Sequence, residues 1–245
     1  MSRRVRSRTD EALARALSGA RALPRSFYAR GPRALARALL GRVLVHDDPV
    51  AGRLAGRIIE TEAYGGSDDP ASHAFRGRTP RNRVMFGAPG HAYVYFTYGM
   101  HHCVNVVCGL EGRAAAVLVR ALVPLLGVNV MARRRGTSER SRLARGPGAL
   151  ARALGLERRH DGADLTAGPL WVADLPPVRE GRRVNRGPRV GIRFAADRPW
   201  RYWLQDEPGV SKGPRAVRAR APGARRTGPA LRPAARARRP TGERR

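Results

Sequence analysis

Apolar positions change spacing several times along the chain, and each change predicts an element. ALARALLG (34–41) carries leucine and alanine at helical spacing and stops at Gly41, predicting a short amphipathic helix. Near the N-terminus, Thr9 as N-cap with Asp10 and Glu11 behind it predicts a helix that follows a basic arm and ends at Pro24. RVLVH (42–46) and LAGRIIETEAY (54–64) read as strands parted by a turn around Asp47. AYVYF (92–96) and CVNVV (103–107) pair as a hairpin whose connecting tip, 97–102, holds Gly99. AAAVLVRAL (114–122) is a strand buried on both faces, and PLWVA, RVGIRF and WRYWL supply three more short ones. LARGPGALARALGL (143–156) contains a helix after Gly148, and the Gly/Pro/Ser/Asp-rich stretch 65–90 is a loop with one helical turn at TPRNRVMF. Strands with segregated helices predict an α+β domain on an antiparallel sheet, flanked by helices.

Composition divides this pattern into three parts: a basic arm and helix (1–25), a folded domain (26–211), and an Arg/Pro/Ala-rich tail (212–245). The tail has almost no large apolar side chains and cannot offset its ordering entropy, so it is expected to be disordered. Its charge suits a solvated tail or a non-specific clamp on a polyanion equally well. Across the chain, 48 basic residues oppose 19 acidic ones, for a formal net charge of +29. Lys212 is the only lysine. Codon bias explains arginine in place of lysine, but not the excess, which predicts a polyanionic partner, nucleic acid before anionic membrane.

Cys103 and Cys108 stand an odd number of residues apart and point to opposite faces of a strand, so no mutual disulfide is expected. The N-terminus lacks an apolar signal core, and no window approaches the ~20 apolar residues of a membrane span. The expectation is a monomer of the reducing cytoplasm, associated with the nucleoid and not with a membrane.

A strand over 58–64 puts Glu60, Glu62 and Tyr64 on one face and Ile59, Thr61 and Ala63 on the other. That face is either a solvent-facing polar stripe or a placed pair of acids. One carboxylate can activate water as a general base; two suit sugar-bond hydrolysis. The scarcity of acids in this chain favours placement. In AYVYF, Tyr93 and Tyr95 share a face, Val94 and Phe96 lie opposite in the core, and Tyr98 follows at the tip. Two rings beside a carboxylate strand suit a stacked base, and a bulky tip residue suits a wedge between bases. The plainer reading is a tyrosine-lined sheet packed on a helix. Arg76, Arg78, Arg81 and Arg83 in one Gly/Pro-rich loop fit phosphate contacts. His101 and His102 diverge, His73 stands in a loop, and no HExxH or CxxC spacing occurs, so neither a metal site nor a cofactor is expected.

The stretch GRIIETEAYGGSDDPASHAFRGRTPRNRVMFGAPGHAYVYFTYGMHHCVNVV resembles the core of the alkyladenine (3-methyladenine) DNA glycosylase family. The similarity runs from about Ala34 to Ser211, and the ordered set ETEAY, TPRNR and YVYFTYGM carries it. The resemblance implies a single mixed domain with a curved antiparallel sheet and a hairpin that enters the minor groove. It implies hydrolysis of the N-glycosidic bond of alkylated purines in double-stranded DNA, with the damaged base flipped out and an abasic site left. Residue by residue, Glu62 matches the general base that deprotonates water. Arg120 and the backbone carbonyl of Val190 match groups that help hold that water. Tyr64, His73 and Tyr95 match the pocket walls, and Asn105 matches the residue that crowds a guanine's exocyclic amine. Tyr98 matches the side chain that fills the gap in the duplex. Glu60 has no role there, which speaks against the two-carboxylate reading. The single lysine, at the edge of the tail, leaves no amine placed for Schiff-base chemistry, so strand cleavage is not expected. The competing expectation is a non-catalytic nucleic-acid-binding protein.

Overall fold

The longest strand-like run becomes the axis of the sheet. In the computed structural model, which describes residues 8–97 and 99–213, strand β2 (Gly52–Tyr64) is flanked by β1 (Val43–Asp48) and β5 (Ala116–Leu126). The hairpin β3 (Ala92–Thr97) and β4 (His101–Val107) joins through β5, and β6 (Leu170–Val172) closes the far edge, giving the order β3-β4-β5-β2-β1-β6. The short strands β7 (Val184–Gly187) and β8 (Arg201–Leu204) pair with each other, and β8 pairs with the distal part of β2. All pairings are antiparallel. Helices α1 (Arg8–Ala16), α2 (Arg25–Tyr28), α3 (Pro32–Leu39), α4 (Val128–Arg135), α5 (Arg140–Leu143) and α6 (Pro147–Leu154) surround the sheet. The fold is the expected mixed α+β domain on a curled antiparallel sheet.

Residues directly opposed across an antiparallel ladder share a face. Val94, Val104, Val117 and Ala63 therefore lie together on one face, where they form the main core with Leu35 and Leu39 of α3 and Leu150 and Leu154 of α6. Thr61, on the same face, donates from Oγ1 to the Ala36 carbonyl of α3 at 2.9 Å. On the other face one transverse row runs across the sheet. Tyr93 opposes Asn105, Asn105 opposes Leu118, Leu118 opposes Glu62, and Glu62 opposes Arg201. This row crosses β3, β4, β5, β2 and β8, and every member of it is buried.

Two register shifts curve the sheet beside this row. Ile58 opposes Leu122 and Glu60 opposes Ala121, so Ile59 is a surplus residue on β2; Thr61 opposes Val119, so Arg120 is the surplus on β5. Such bulges bend a strand and re-aim side chains, and here they turn Arg120 toward both acids of β2.

Several expectations change. Helix α1 ends at Ala16, well before Pro24, and Thr9 lies inside it instead of capping it; Leu13 and Leu17 pack in a second cluster with Val45, Leu125 and Trp171. Pro24 instead precedes α2. Helix α6 starts at Pro147, where a missing amide costs nothing, not after Gly148. The segment RVGIRF is not a strand: Gly191 takes φ +75° and Arg189 turns inward, and the third short strand is β7. Phe96 is 47% exposed, not core. Pairing of β4 with β5 covers only Asn105–Val107, so the outer half of the hairpin protrudes without a third strand to cover Phe96. Cys103 and Cys108 are both free and buried. Tyr98, the arm before Arg8 and the tail beyond Gly213 lie outside the described residues.

Candidate active site

Strand parity aims Glu60, Glu62 and Tyr64 at the polar face, and burial there decides between the two readings of that face. Glu60 and Glu62 are both fully buried, so the solvent-facing stripe is excluded. An unpaired carboxylate at such depth would be very costly, and Glu62 is accordingly ringed by donors. The Val190 amide donates to Oε1 at 2.7 Å, the Tyr64 hydroxyl donates to Oε2 at 2.8 Å, and Arg120 Nη1 lies 3.2 Å from Oε2. Burial pushes the Glu62 carboxyl above its ordinary range; Arg120, the Val190 amide and Tyr64 pull it back only partly, and Glu60 adds to the rise. The Tyr64 phenol is held well above its usual range by burial and by Glu62.

Above this carboxylate opens a cleft of about 190 Å³, lined among others by Tyr64, His73, Tyr95, Asn105 and Arg120. Glu62 lies beneath the lining: three side chains or amides that touch the cleft also hold its oxygens. The His73 ring stands 4.5 Å from the Tyr95 ring at 74°, and the Tyr93 and Tyr95 centroids are 5.3 Å apart. His73 Nδ1 lies 2.9 Å from the Tyr93 hydroxyl; the residue is partly open to solvent, and desolvation of its ring followed by the charge of Arg81 lowers its pKa. Asn105 Nδ2 donates to the Tyr93 carbonyl at 3.1 Å, fixing its amide at the cleft floor. The structure thus brings together Glu62, Tyr64, His73, Tyr95, Asn105, Arg120 and Val190. For Val190 the observed contact to Glu62 is made by the amide N–H, whereas the resemblance drew attention to the carbonyl.

The arginine loop is shaped by a residue that sequence reading missed. Asn82, 2% exposed, donates from Nδ2 to the carbonyls of His73 (2.8 Å) and Gly77 (3.0 Å) and accepts from the Thr79 amide at 2.7 Å. Arg76, Arg78, Arg81 and Arg83 are exposed around it. Arg81 Nη2 donates to the Phe96 carbonyl at 3.0 Å and its guanidinium sits 5.8 Å from the Tyr95 ring, tying the loop to the hairpin. A second missed pair lies behind Tyr64. Arg189 donates to both oxygens of Asp69, at 2.5 and 2.8 Å, and to the Ala63 carbonyl at 3.0 Å. Its guanidinium lies 4.7 Å from the Tyr64 ring and its own backbone leads into Val190. Paired aspartates in an acid-poor chain were the available signal.

Among the described residues, no cluster of three or more His, Cys, Asp or Glu is arranged to hold a metal ion, and no helix is long and apolar enough to cross a membrane.

With this geometry in view, comparison with known proteins assigns the class. A family model described as methylpurine-DNA glycosylase matches residues 26–208. The protein is therefore an enzyme, a hydrolase of the DNA-glycosylase class acting on DNA. It is similar to a protein of Anaeromyxobacter dehalogenans (strain 2CP-1), 51% identical over 196 residues that cover 78% of this chain and 86% of the relative. A Frankia casuarinae protein is 50% identical over 202 residues (78% of this chain, 92% of the relative), and a Streptomyces avermitilis protein is 48% identical over 210 (84% and 96%). All three are provisionally named 3-methyladenine DNA glycosylases. The chain belongs to the methylpurine-DNA glycosylase family.

Proposed function

We propose that the protein binds duplex DNA as a monomer and rotates an alkylated purine out of the helix into the ring-walled cleft. It then hydrolyses the bond from the purine to C1′, leaving an abasic site in an uncut strand. The observation that carries this reading is a fully buried carboxylate, Glu62, held directly beneath a cleft lined by aromatic rings.

Extrusion costs a few kcal/mol of lost stacking and pairing. Tyr64, His73 and Tyr95 offset it, at ~1–3 kcal/mol for each good stacking contact. The wedge role proposed for Tyr98 would hold the emptied duplex open, and Arg76, Arg78, Arg81 and Arg83 would hold its phosphates. Glu62 accepts three donors where a carboxylate offers about four lone-pair sites, which leaves one on Oε1 for a water. That water gives a proton to Glu62 as its oxygen bonds to C1′. The C1′–N bond breaks, and its electron pair goes to the purine. A cationic methylated purine leaves neutral and needs no acid. Positive charge that develops on the sugar is favoured by the nearby carboxylate, whose raised pKa brings it closer to the working pH of a base. Asn105 at the cleft floor would crowd the exocyclic amine of guanine.

The test is incubation with duplexes bearing 3-methyladenine, 7-methylguanine, hypoxanthine or ethenoadenine, with free base measured by chromatography. Release of methylated bases, with the strand intact until alkali is added, is expected. Binding without release of any of them would establish the non-catalytic binder instead.

The arginine-rich stretch beyond Gly213 bears on affinity. Its only acid is Glu243. It departs from a point beside the site, for a Cβ on Gly213 would fall 2.6 Å from Val190 Cγ2. Deleting residues 212–245 is expected to flatten the slope of log K against log salt in a binding titration, since fewer counterions are released. An unchanged slope would make the segment a bystander.

A further inference from the structure

Glu60 is a buried acid that the proposed chemistry does not use. It accepts from four donors: Arg120 Nε at 3.1 Å, Arg201 Nη1 at 3.2 Å, and the Ser211 amide and hydroxyl, both at 2.8 Å. Four charge-assisted bonds fill the lone-pair sites of a side chain with no exposure, and one of the donors, Arg120, also reaches Glu62. Arg120 divides its donors three ways. Nε goes to Glu60, Nη1 to Glu62, and Nη2 to the Ser211 hydroxyl at 3.2 Å. As the surplus residue of a bulge, Arg120 has no ladder position to fix its direction. The clamp formed by Glu60 and Ser211 supplies that direction.

We propose that Glu60 is the positioning residue of the hydrolytic site. It anchors Arg120 at Nε so that Nη1 stays on Glu62 Oε2, and together with Ser211 it fixes the chain segment that ends against Val190 and Arg201. This rests on the reading of Glu62 as the base.

Two separable effects follow. The geometric one is orientation: a guanidinium free to swing would let Glu62 rotate off the water, and displacements near 1 Å at a reacting centre can cost roughly 10²-fold in rate. The electrostatic one is charge balance. The groups facing Glu62 are Tyr64 and Glu60 from its own strand, Arg120 from β5, Arg201 opposite it on β8, and Tyr95 and Cys103 from the hairpin. Removing the Glu60 charge leaves more net positive charge around Glu62 and favours its ionised form.

The experiment compares wild type, Glu60→Gln, Glu60→Asp, Ser211→Ala and Glu62→Gln in single-turnover base release across pH, with lesion-duplex affinity and thermal unfolding measured in parallel. Glu60→Gln is expected to bind duplex within a few-fold of wild type, to lose roughly 10²-fold in rate, and to move the acidic limb of the profile to lower pH. Glu60→Asp keeps the charge but not the reach, so its rate falls while the limb stays in place. Ser211→Ala keeps both charges and is expected to fold; it loses rate several-fold with an unmoved limb. A folded Glu60→Gln with wild-type rate and limb overturns the proposal. If Glu60→Gln does not fold, a Ser211→Ala rate equal to wild type overturns it. A Glu62→Gln variant that still releases base defeats the reading of Glu62 itself, and is distinguishable from both.

Discussion

Glu62→Gln is expected to reduce base release by about 10²–10⁴-fold, the span of general-base catalysis, while lesion-duplex affinity stays within a few-fold of wild type. The amide nearly matches the carboxylate in shape, so its oxygen can still accept from the Val190 amide, 2.7 Å away in the wild type. It cannot take a proton from water, and it presents no negative charge to the sugar. The cleft walls are untouched, since Glu62 lies beneath the lining. Arg120 keeps Glu60 as a counter-ion, so the fold survives the loss of one of its two acids. Single-turnover release and fluorescence anisotropy on the same duplex measure the two quantities. Release at the wild-type rate would place the base elsewhere in the cleft.

Asp69→Ala is expected to cost ~3–5 kcal/mol of stability and most of the activity. Asp69 and Arg189 are both buried, with side chains wholly out of solvent, and removing one partner strands the other's charge. The damage reaches the site because Arg189 also braces the Ala63 carbonyl and the Tyr64 ring, and precedes Val190. Burial alone would raise the Asp69 carboxyl. The hydrogen bonds and charge of Arg189 and the amides of Gly65 and Ala71 outweigh it and hold the carboxyl below its ordinary range. The folded value is depressed, so this contribution is complete above the unfolded value, ~3.9, and is lost as pH falls through the folded one. Denaturant titrations should show a lower midpoint for the variant and a flatter decline of stability on acidification. An unchanged midpoint would mean that the loop, not the ion pair, holds this part of the molecule.

What could be read in advance was what depends on near neighbours. The common face of Glu60, Glu62 and Tyr64 follows from a period of two and needed no partner. The hairpin followed from two alternating runs around Gly99. Phe96 shows the limit: its side of the strand was right, as it shares Val94's face, but its burial depended on β5, which stops pairing at Asn105. Strand β7, VNRG, has one apolar residue and exists because β8 offers it a ladder. RVGIRF alternates like a strand but is bent by Gly191 and by the pull of Asp69 on Arg189. The clamp on Arg120 was invisible for the same reason. Ser211 and Arg201 reach Glu60 across well over a hundred residues of chain, and no local pattern encodes such a meeting.

The rung that runs from Tyr93 through Asn105, Leu118 and Glu62 to Arg201 draws one residue from each of five strands. A groove built on this row belongs to no single segment. The capacity proposed for it, to hold a base, then depends on the pairing of all five strands and not on any one of them.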